Sequence, residues 1–577
     1  MKNAGIVAGQ NTNTPPAKPA LTYSIAFVTL LKPLSIMFLV EVICAIYINS
    51  LFTEFVYDDM SDIVGNPSIL HLWPTPIWSN GAIQNRPLAN FSFALNYALG
   101  GMQVKGYHVV NLVIHIINAL LLFGILRRTF LLPTMRAAFG GAAWILSLTI
   151  SLLWAVHPLQ TEAVTYIVQR YESLMSLFYL LVFYYVIRGV DSHRPTIWYV
   201  GAILACFLGM STKEVMVTAP VMVFLYDRTF LTGSFQEAFK QRWWLYVGLA
   251  LCWVWLLKLI NAGWMNSALN STAVNVRGGV SDTWSYAATQ PGVILHYLRL
   301  IVWPNPLILD YNWPVANTLP AILRPGAVIL LLVLAWLWGL FKHRTWAFLI
   351  AWFLIILSPT SSFFPLFDDY VVEHRMYLPS IAPIAFIVIM CYRGIREAVI
   401  HQWVPQKSLK ALLVPAILAT ITFGALTRER NKDYANESTM WTNVVTKVPN
   451  NSRAQNNLGV SLYLKNRPDE AIVHLQEALR LKPDSPGTHN NLGNALTMKN
   501  QYDEAIKHYQ EALRLRPDYP EANNNLGNAF TNLNRPDEAI KHYQEALRQW
   551  PNYPHTRCNL ETVRANLRKQ LSEIKKQ

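Results

Sequence analysis

Charge is scarce in this chain. Only 14% of its 577 residues are Asp, Glu, Lys or Arg, against 53% apolar, a balance that excludes an ordinary water-soluble protein of this length. Cysteine is scarce as well. Cys44, Cys206, Cys252 and Cys391 lie inside apolar runs and Cys558 stands alone near the end, so they form no disulfide framework. Also absent are a P-loop, a GxGxxG after a strand, a GxSxG elbow, an HExxH helix and a CxxC pair. A nucleotide-fed enzyme and a triad hydrolase therefore lack support.

What the chain has is long apolar runs. They fill about 34–426, whereas 431–577 is polar and helically patterned, which divides the chain into a lipid-embedded part and a soluble one. A spanning helix needs about 20 apolar residues, and about 11 candidates fit: 33–51, 107–126, 138–156, 172–188, 196–211, 214–230, 243–261, 321–340, 346–363, 378–393 and 408–426. The first runs straight into Glu54 and Asp58 with no small-residue cleavage pattern, so it is expected to be a retained anchor.

The net charge of +14 does not gather on one soluble face, which argues against a nucleic-acid partner. Lysine and arginine sit instead in short connections between apolar runs. With the N-terminus in the cytoplasm, seventeen of them (Lys2, Lys18, Lys32, Arg127, Arg128, Arg136, Arg188, Arg194, Arg228, Lys240, Arg242, Lys342, Arg344, Arg393, Arg396, Lys407 and Lys410) fall inside. Eight (Arg86, Lys105, Arg170, Lys213, Arg277, Arg299, Arg324 and Arg375) fall on the other side, which favours this orientation. An odd number of spans then puts the soluble part outside the cytoplasm. Trp284–Trp303 is apolar but carries His296 and Arg299, and counting it would send Lys342 and Arg344 outside, so it is expected to be re-entrant or interfacial.

Ionisable groups beside lipid are costly and mark function. The first outer loop, 52–106, reads Tyr57-Asp58-Asp59-Met60-Ser61-Asp62 and then Asn66-Pro67. Adjacent carboxylates at a hydrocarbon boundary can serve as a base or hold a divalent metal, or they can be a helix cap and a solvated acid. His108, Asn111, His115 and Asn118 share one face of the second span, fit for a wet cavity or for interhelical hydrogen bonds. The second outer loop holds His157-Pro158 and Glu162 and leads to Arg170-Tyr171-Glu172. Arg170 can grip a phosphate bidentately or pair with Glu162 or Glu172. Lys213-Glu214, Asp310-Tyr311 and Asp368-Asp369 with Glu373-His374-Arg375 complete the outer series. Their concentration at one face suits chemistry between a lipid carrier and water.

The soluble part repeats. Asn456-Asn457-Leu458-Gly459, Asn490-Asn491-Leu492-Gly493 and Asn524-Asn525-Leu526-Gly527 recur every 34 residues, the tetratricopeptide (TPR) period, and Pro483, Pro517 and Pro551 close the units. The boundaries read as a leading half repeat at 433–451 around Trp441, repeats at 452–485, 486–519 and 520–553, and a capping helix at 554–577. The paired asparagines are expected to line a groove whose amides bond an extended peptide, or to bond within the repeats. The whole is thus an all-α protein: a cytoplasmic tail at 1–32, a membrane bundle at 33–427 and an α-solenoid.

This combination resembles the membrane O-mannosyltransferase-like proteins of the glycosyltransferase C superfamily that carry C-terminal TPRs. The resemblance rests on Asp58-Asp59 with Asn66-Pro67, Arg86-Pro87-Leu88, His108 and Asn111, His157-Pro158 with Glu162 and Arg170, Lys213-Glu214, Pro304 with Asp310-Tyr311, and Glu373-His374-Arg375-Met376-Tyr377-Leu378-Pro379. It implies an inverting transfer of mannose or another hexose from a polyprenyl-phosphate carrier to Ser or Thr hydroxyls. By resemblance Asp58 is the catalytic base, with Asp59 its orienting partner. Arg170 would hold the donor phosphate, with Lys213, His374 and Arg375 as further candidates. Arg86, His108, Asn111, His157, Glu162, Glu214, Asp310 and Glu373 would support the site. The donor is a substrate, and no cofactor is expected beyond the divalent metal that paired carboxylates allow. The implied place is a bacterial inner membrane, or the endoplasmic reticulum in a eukaryote, with the repeats periplasmic or luminal and binding acceptor or partner. A transferase acting on lipid or glycan and a non-catalytic scaffold are the alternatives.

Overall fold

The structure, a computed structural model, describes residues 25–72, 86–270, 283–363, 370–405, 413–553 and 555–574. Residues 1–24 of the expected tail, 73–85 of the first outer loop, Arg277, Asp368, Asp369, Lys407, Lys410 and the start of the expected span at 408–426 lie outside them. The described residues are helical, with no β-strand among them.

Seven helices among the described residues are long and apolar enough to cross a bilayer: Pro33–Phe52, Val104–Leu131, Pro133–Ala155, Ile167–Val190, Glu214–Thr232, Phe235–Asn261 and Leu319–Phe341. Pro195–Met210 and Ala347–Ser361 are shorter apolar helices. These nine coincide with nine of the expected spans. The last two expected spans are helices as well, Ile381–Ile400 and Leu413–Asp433, but both are charged toward their ends. The first carries Arg393, Arg396 and Glu397, and the second carries Arg428, Glu429, Arg430, Lys432 and Asp433. Thr283–Val302 is one continuous helix with Pro291 inside it and is not among the seven. Aromatic rings knit the bundle: Phe183 stacks on Tyr179 at 5.8 Å, and Trp352 meets both edge-on at 5.2 and 5.6 Å.

The soluble half starts with Glu437–Lys447 and continues as the pairs Ser452–Leu464 with Pro468–Leu481, Pro486–Met498 with Tyr502–Leu515 and Pro520–Asn532 with Pro536–Gln549. Thr556–Ile574 covers the last pair. Asn466, Asn500 and Asn534, again 34 apart, take left-handed φ of 61°, 61° and 56° just past each first helix, a conformation asparagine tolerates better than most residues. Within each pair the helices touch at glycine. A Cβ on Gly493 would lie 2.5 Å from the Tyr509 ring, which is itself pinned by a 2.8 Å bond from its hydroxyl to Asn494. Gly493→Ala is therefore expected to destabilise the repeats by about 1–3 kcal/mol despite alanine's better helix propensity. A wild-type thermal midpoint for this variant would show that the ring gives way.

The two halves share a core. Val56, Ile63, Ile69 and Phe93 of the first outer loop pack with Tyr166, Tyr171 and Ile308 and, without a break, with Tyr434, Met440, Trp441 and Val444 at the start of the soluble half. Polar clamps reinforce the seam. Arg430 donates to both carboxylate oxygens of Glu373 at 3.2 Å and to the Leu307 carbonyl at 2.7 Å, and Arg453 donates to Asp310 at 2.6 Å. Burial raises the Asp310 carboxyl, but the Arg453 guanidinium outweighs it and holds the group below the usual carboxylate range. Of the two acids expected to support the site, Asp310 thus holds the first repeat against the membrane bundle and Glu373 holds the helix that leads into the repeats.

Candidate active site

The first outer loop leaves its membrane helix and turns sharply at Tyr57, whose φ is +48°. The next two residues are the adjacent carboxylates, and the fold treats them differently. Asp59 is fully buried, and its two oxygens accept the backbone N–H groups of Val56 at 3.1 Å and Val168 at 2.7 Å. It ties the first loop to the second. Asp58 is half-buried, and its own backbone N–H donates to the Tyr166 hydroxyl at 2.9 Å. Asp62, four residues on in the short helical turn Met60–Val64, receives the Tyr171 hydroxyl at 3.4 Å. Burial raises its carboxyl above the ordinary value.

Burial also pushes the Asp59 carboxyl up to about 8, against the two N–H bonds that favour its anion. The folded chain then keeps a proton that the unfolded chain releases near pH 4. This contribution to stability is complete below that pH and is lost as pH rises through about 8. The thermal midpoint is therefore expected to fall between about pH 5 and pH 8.5, and Asp59→Asn is expected to flatten that slope while lowering the midpoint at pH 5. An unchanged slope in the variant would assign the titration to another group.

The cations divide just as sharply. Arg170 is fully buried and encircled: it donates to Asn111 Oδ1 at 2.7 Å, Asn96 Oδ1 at 2.7 Å, Ser92 O at 3.2 Å and Tyr107 O at 3.0 Å, and it stacks on the Phe93 ring at 4.4 Å. Asn111 completes the knot by donating to the Val164 and Ile167 carbonyls, both at 3.3 Å. Arg170, expected to meet a phosphate, instead directs these bonds to the protein's own frame. Lys213, 6% exposed, is bound to Glu172 at 2.5 Å. Arg375 is buried and donates to the Tyr286 hydroxyl at 3.1 Å. Arg86 differs. It is 32% exposed, lies 4.6 Å over the Tyr171 ring and faces Glu214, itself 25% exposed, at 3.8 Å. Tyr171 therefore joins Asp62 to Arg86.

His374 gives its Nδ1 and its backbone N–H to the two oxygens of Glu162, at 2.8 and 2.9 Å. Burial first, and then the Lys213 charge, lowers its pKa, so the imidazole is neutral with Nε2 as its acceptor nitrogen. His157 bonds the Ile301 carbonyl at 2.9 Å and accepts the Leu159 N–H, which commits both ring nitrogens to the backbone. His108 bonds Thr53 at 2.8 Å and braces the loop entrance. The fold therefore brings Asp58, Asp62, Arg86, Tyr171, Glu214, Lys213, Glu162 and His374 around one outer region, while Arg170, Asn111, His157, Glu373 and Asp310 serve its frame. Asp62 and Tyr171 were not singled out by the sequence; Asp62's place one helical turn after Asp58 was the signal for it. Among the described residues no three His, Cys, Asp or Glu side chains converge as a metal-ion site.

The repeat asparagines bond one another from unit to unit. Asn491 donates to Asn456 and Asn525 donates to Asn490, both at 3.0 Å, Asn456 donates to Asn457 at 3.0 Å, and Asn524 accepts from Thr556 at 2.8 Å. This amide ladder stiffens the stack, with Asn456, Asn457, Asn491 and Asn525 still half-buried on its open side.

Fold and site together define a multi-span membrane protein with a tetratricopeptide solenoid seated against the polar loops that join its apolar helices. Sequence models described as TPR repeat match residues 459–500 and 493–534, and the one described as Tetratricopeptide repeat matches residues 520–553. The chain is similar to Homo sapiens protein O-mannosyl-transferase TMTC3, 26% identical over 501 residues, which covers 78% of this chain and 52% of that protein. It is also 25% identical over 457 residues to Caenorhabditis elegans protein O-mannosyl-transferase F38B6.6, covering 76% of this chain and 61% of that one. This chain spans about half to three-fifths of the length of these curated relatives. Among solved structures, the first TPR of Spaghetti (RPAP3) bound to an HSP90 peptide is 22% identical, covering 20% of this chain and 92% of that one with a TM-score of 0.20.

Proposed function

We propose that the chain is an inverting glycosyltransferase that moves mannose or another hexose from a polyprenyl-phosphate carrier to Ser or Thr hydroxyls of a protein on the non-cytoplasmic face. The observation that carries this reading is the similarity to protein O-mannosyl-transferases across about three-quarters of the chain, membrane half included. The site is compatible with it. Asp58 takes the proton from the acceptor hydroxyl, the acceptor oxygen bonds the anomeric carbon from the face opposite the phosphate, and the bond from that carbon to the phosphate oxygen breaks. Arg86, the partly exposed cation of the cluster, faces the departing polyprenyl phosphate and offsets its growing charge. The repeats hold the acceptor or a partner that delivers it.

The test is transfer of radiolabelled mannose from polyprenyl-phosphate mannose to membrane and periplasmic or luminal proteins by the full chain in lipid. The expected result is label on protein, lost in Arg86→Ala. Label on lipid alone would move the acceptor to lipid or glycan, and no transfer from any polyprenyl-linked sugar would leave a scaffold.

A further inference from the structure

The two tyrosines beside Asp58, Tyr57 and Tyr166, each rest on an aromatic ring from outside the membrane bundle. The Tyr57 ring, adjacent to it in sequence, meets the Trp441 ring edge-on, with centroids 5.0 Å apart and planes at 87°. Trp441 sits in the leading half repeat and is 1% exposed. On the other side, the Asp58 backbone N–H donates to the Tyr166 hydroxyl, and the Tyr166 ring stacks on Tyr434 at 6.0 Å, at the start of the same half repeat. The loop backbone is tied there too: Glu54 N–H donates to the Ala435 carbonyl at 3.0 Å. Thr165 donates to Asn431 at 2.8 Å, and Asn431 donates to Asn49 at 2.8 Å. The loop backbone on both sides of Asp58 is thus tied, directly or through Tyr57 and Tyr166, to the start of the soluble half.

The backbone at Tyr57 distinguishes this from simple packing. A φ of +48° is disfavoured for a tyrosine and persists only where surrounding contacts impose it. Glycine would adopt it freely. Among the contacts that a glycine would lose is the ring on Trp441. That turn sets the direction in which the next residue, Asp58, leaves the loop.

We infer that Trp441 is a positioning residue for Asp58, acting through the left-handed Tyr57, so that the leading half repeat is part of the catalytic framework as well as the root of the repeats. This rests on the glycosyl transfer proposed above. It makes the repeat half necessary for turnover even when donor binding is intact, because a base displaced by about 1 Å costs on the order of a hundredfold in rate.

The experiment measures kcat, donor KM and thermal midpoint of the full-length protein in lipid with polyprenyl-phosphate mannose, for wild type, Tyr57→Gly, Trp441→Phe, Trp441→Leu and the double variant Tyr57→Gly/Trp441→Leu. Tyr57→Gly relieves the backbone, so its midpoint is expected to stay within a few degrees of wild type while kcat falls about a hundredfold at unchanged donor KM. Trp441→Phe keeps a ring at the contact and is expected to retain most of the turnover. The double variant is expected to be no slower than Tyr57→Gly alone, since both substitutions break one contact. Wild-type kcat in Tyr57→Gly, or multiplying losses in the double variant, would overturn the inference while leaving the transfer reading intact. Absence of transfer by wild type would overturn both.

Discussion

Arg170→Ala is expected to leave almost no folded protein. The guanidinium is fully buried and is the common partner of Asn96, Asn111, Ser92 and the Tyr107 carbonyl, groups that come from two segments of the outer face and meet only around it. Truncation removes a ring-stacked side chain and strands several buried acceptors at once, each costing about 1–3 kcal/mol. Several such acceptors stranded together cost a large share of the roughly 5–15 kcal/mol that keeps a typical domain folded. Arg170→Lys is not expected to rescue, because an ammonium cannot reproduce the planar fork that reaches Asn111 and Asn96 in opposite directions. Monodisperse protein with a wild-type thermal midpoint in either variant would refute this placement and return Arg170 to consideration as a ligand of the donor phosphate.

That same residue marks where sequence reading stops. The repeat period was plain because the packing demand recurs: the Asn-Asn-Leu-Gly steps carry the glycines that let Leu475, Tyr509 and Tyr543 approach, and no tertiary information is needed to see them. The apolar helices were legible for a similar reason, since hydrocarbon thickness imposes length and composition locally, and seven among the described residues are long and apolar enough to cross. The loops that carry the cluster were legible as polar segments between apolar runs. The division of labour among their residues was not, because burial depends on what converges from elsewhere. Nothing in Arg170-Tyr171-Glu172 announces that Asn96 and Asn111 close over the arginine, and nothing in Arg86-Pro87 announces that this arginine stays partly exposed against Tyr171. Asp310 and Glu373 likewise read as site acids until Arg453 and Arg430, far along the chain, are seen to claim them.

Asp58→Asn is expected to lower kcat by about a thousandfold with donor KM unchanged, the loss associated with removing a general base. The amide keeps the size and shape of the side chain, so the loop, the Tyr166 bond to the backbone N–H and the contact of Tyr57 with Trp441 should all survive. What it lacks is basicity toward the acceptor hydroxyl. Asp59→Asn separates the two adjacent acids by a different signature. Both Asp59 oxygens accept backbone N–H groups, so its amide nitrogen must confront a donor, and the expected result is a lowered thermal midpoint before any change in turnover per folded molecule. A transfer assay paired with melting curves therefore assigns the two roles independently. If Asp59→Asn is stable and slow while Asp58→Asn turns over normally, the base is the buried acid, and the loop must open to expose it. If neither substitution slows the transfer, proton removal belongs to another carboxylate of the cluster, and Asp62, one turn on and joined through Tyr171 to Arg86, is the group its geometry nominates.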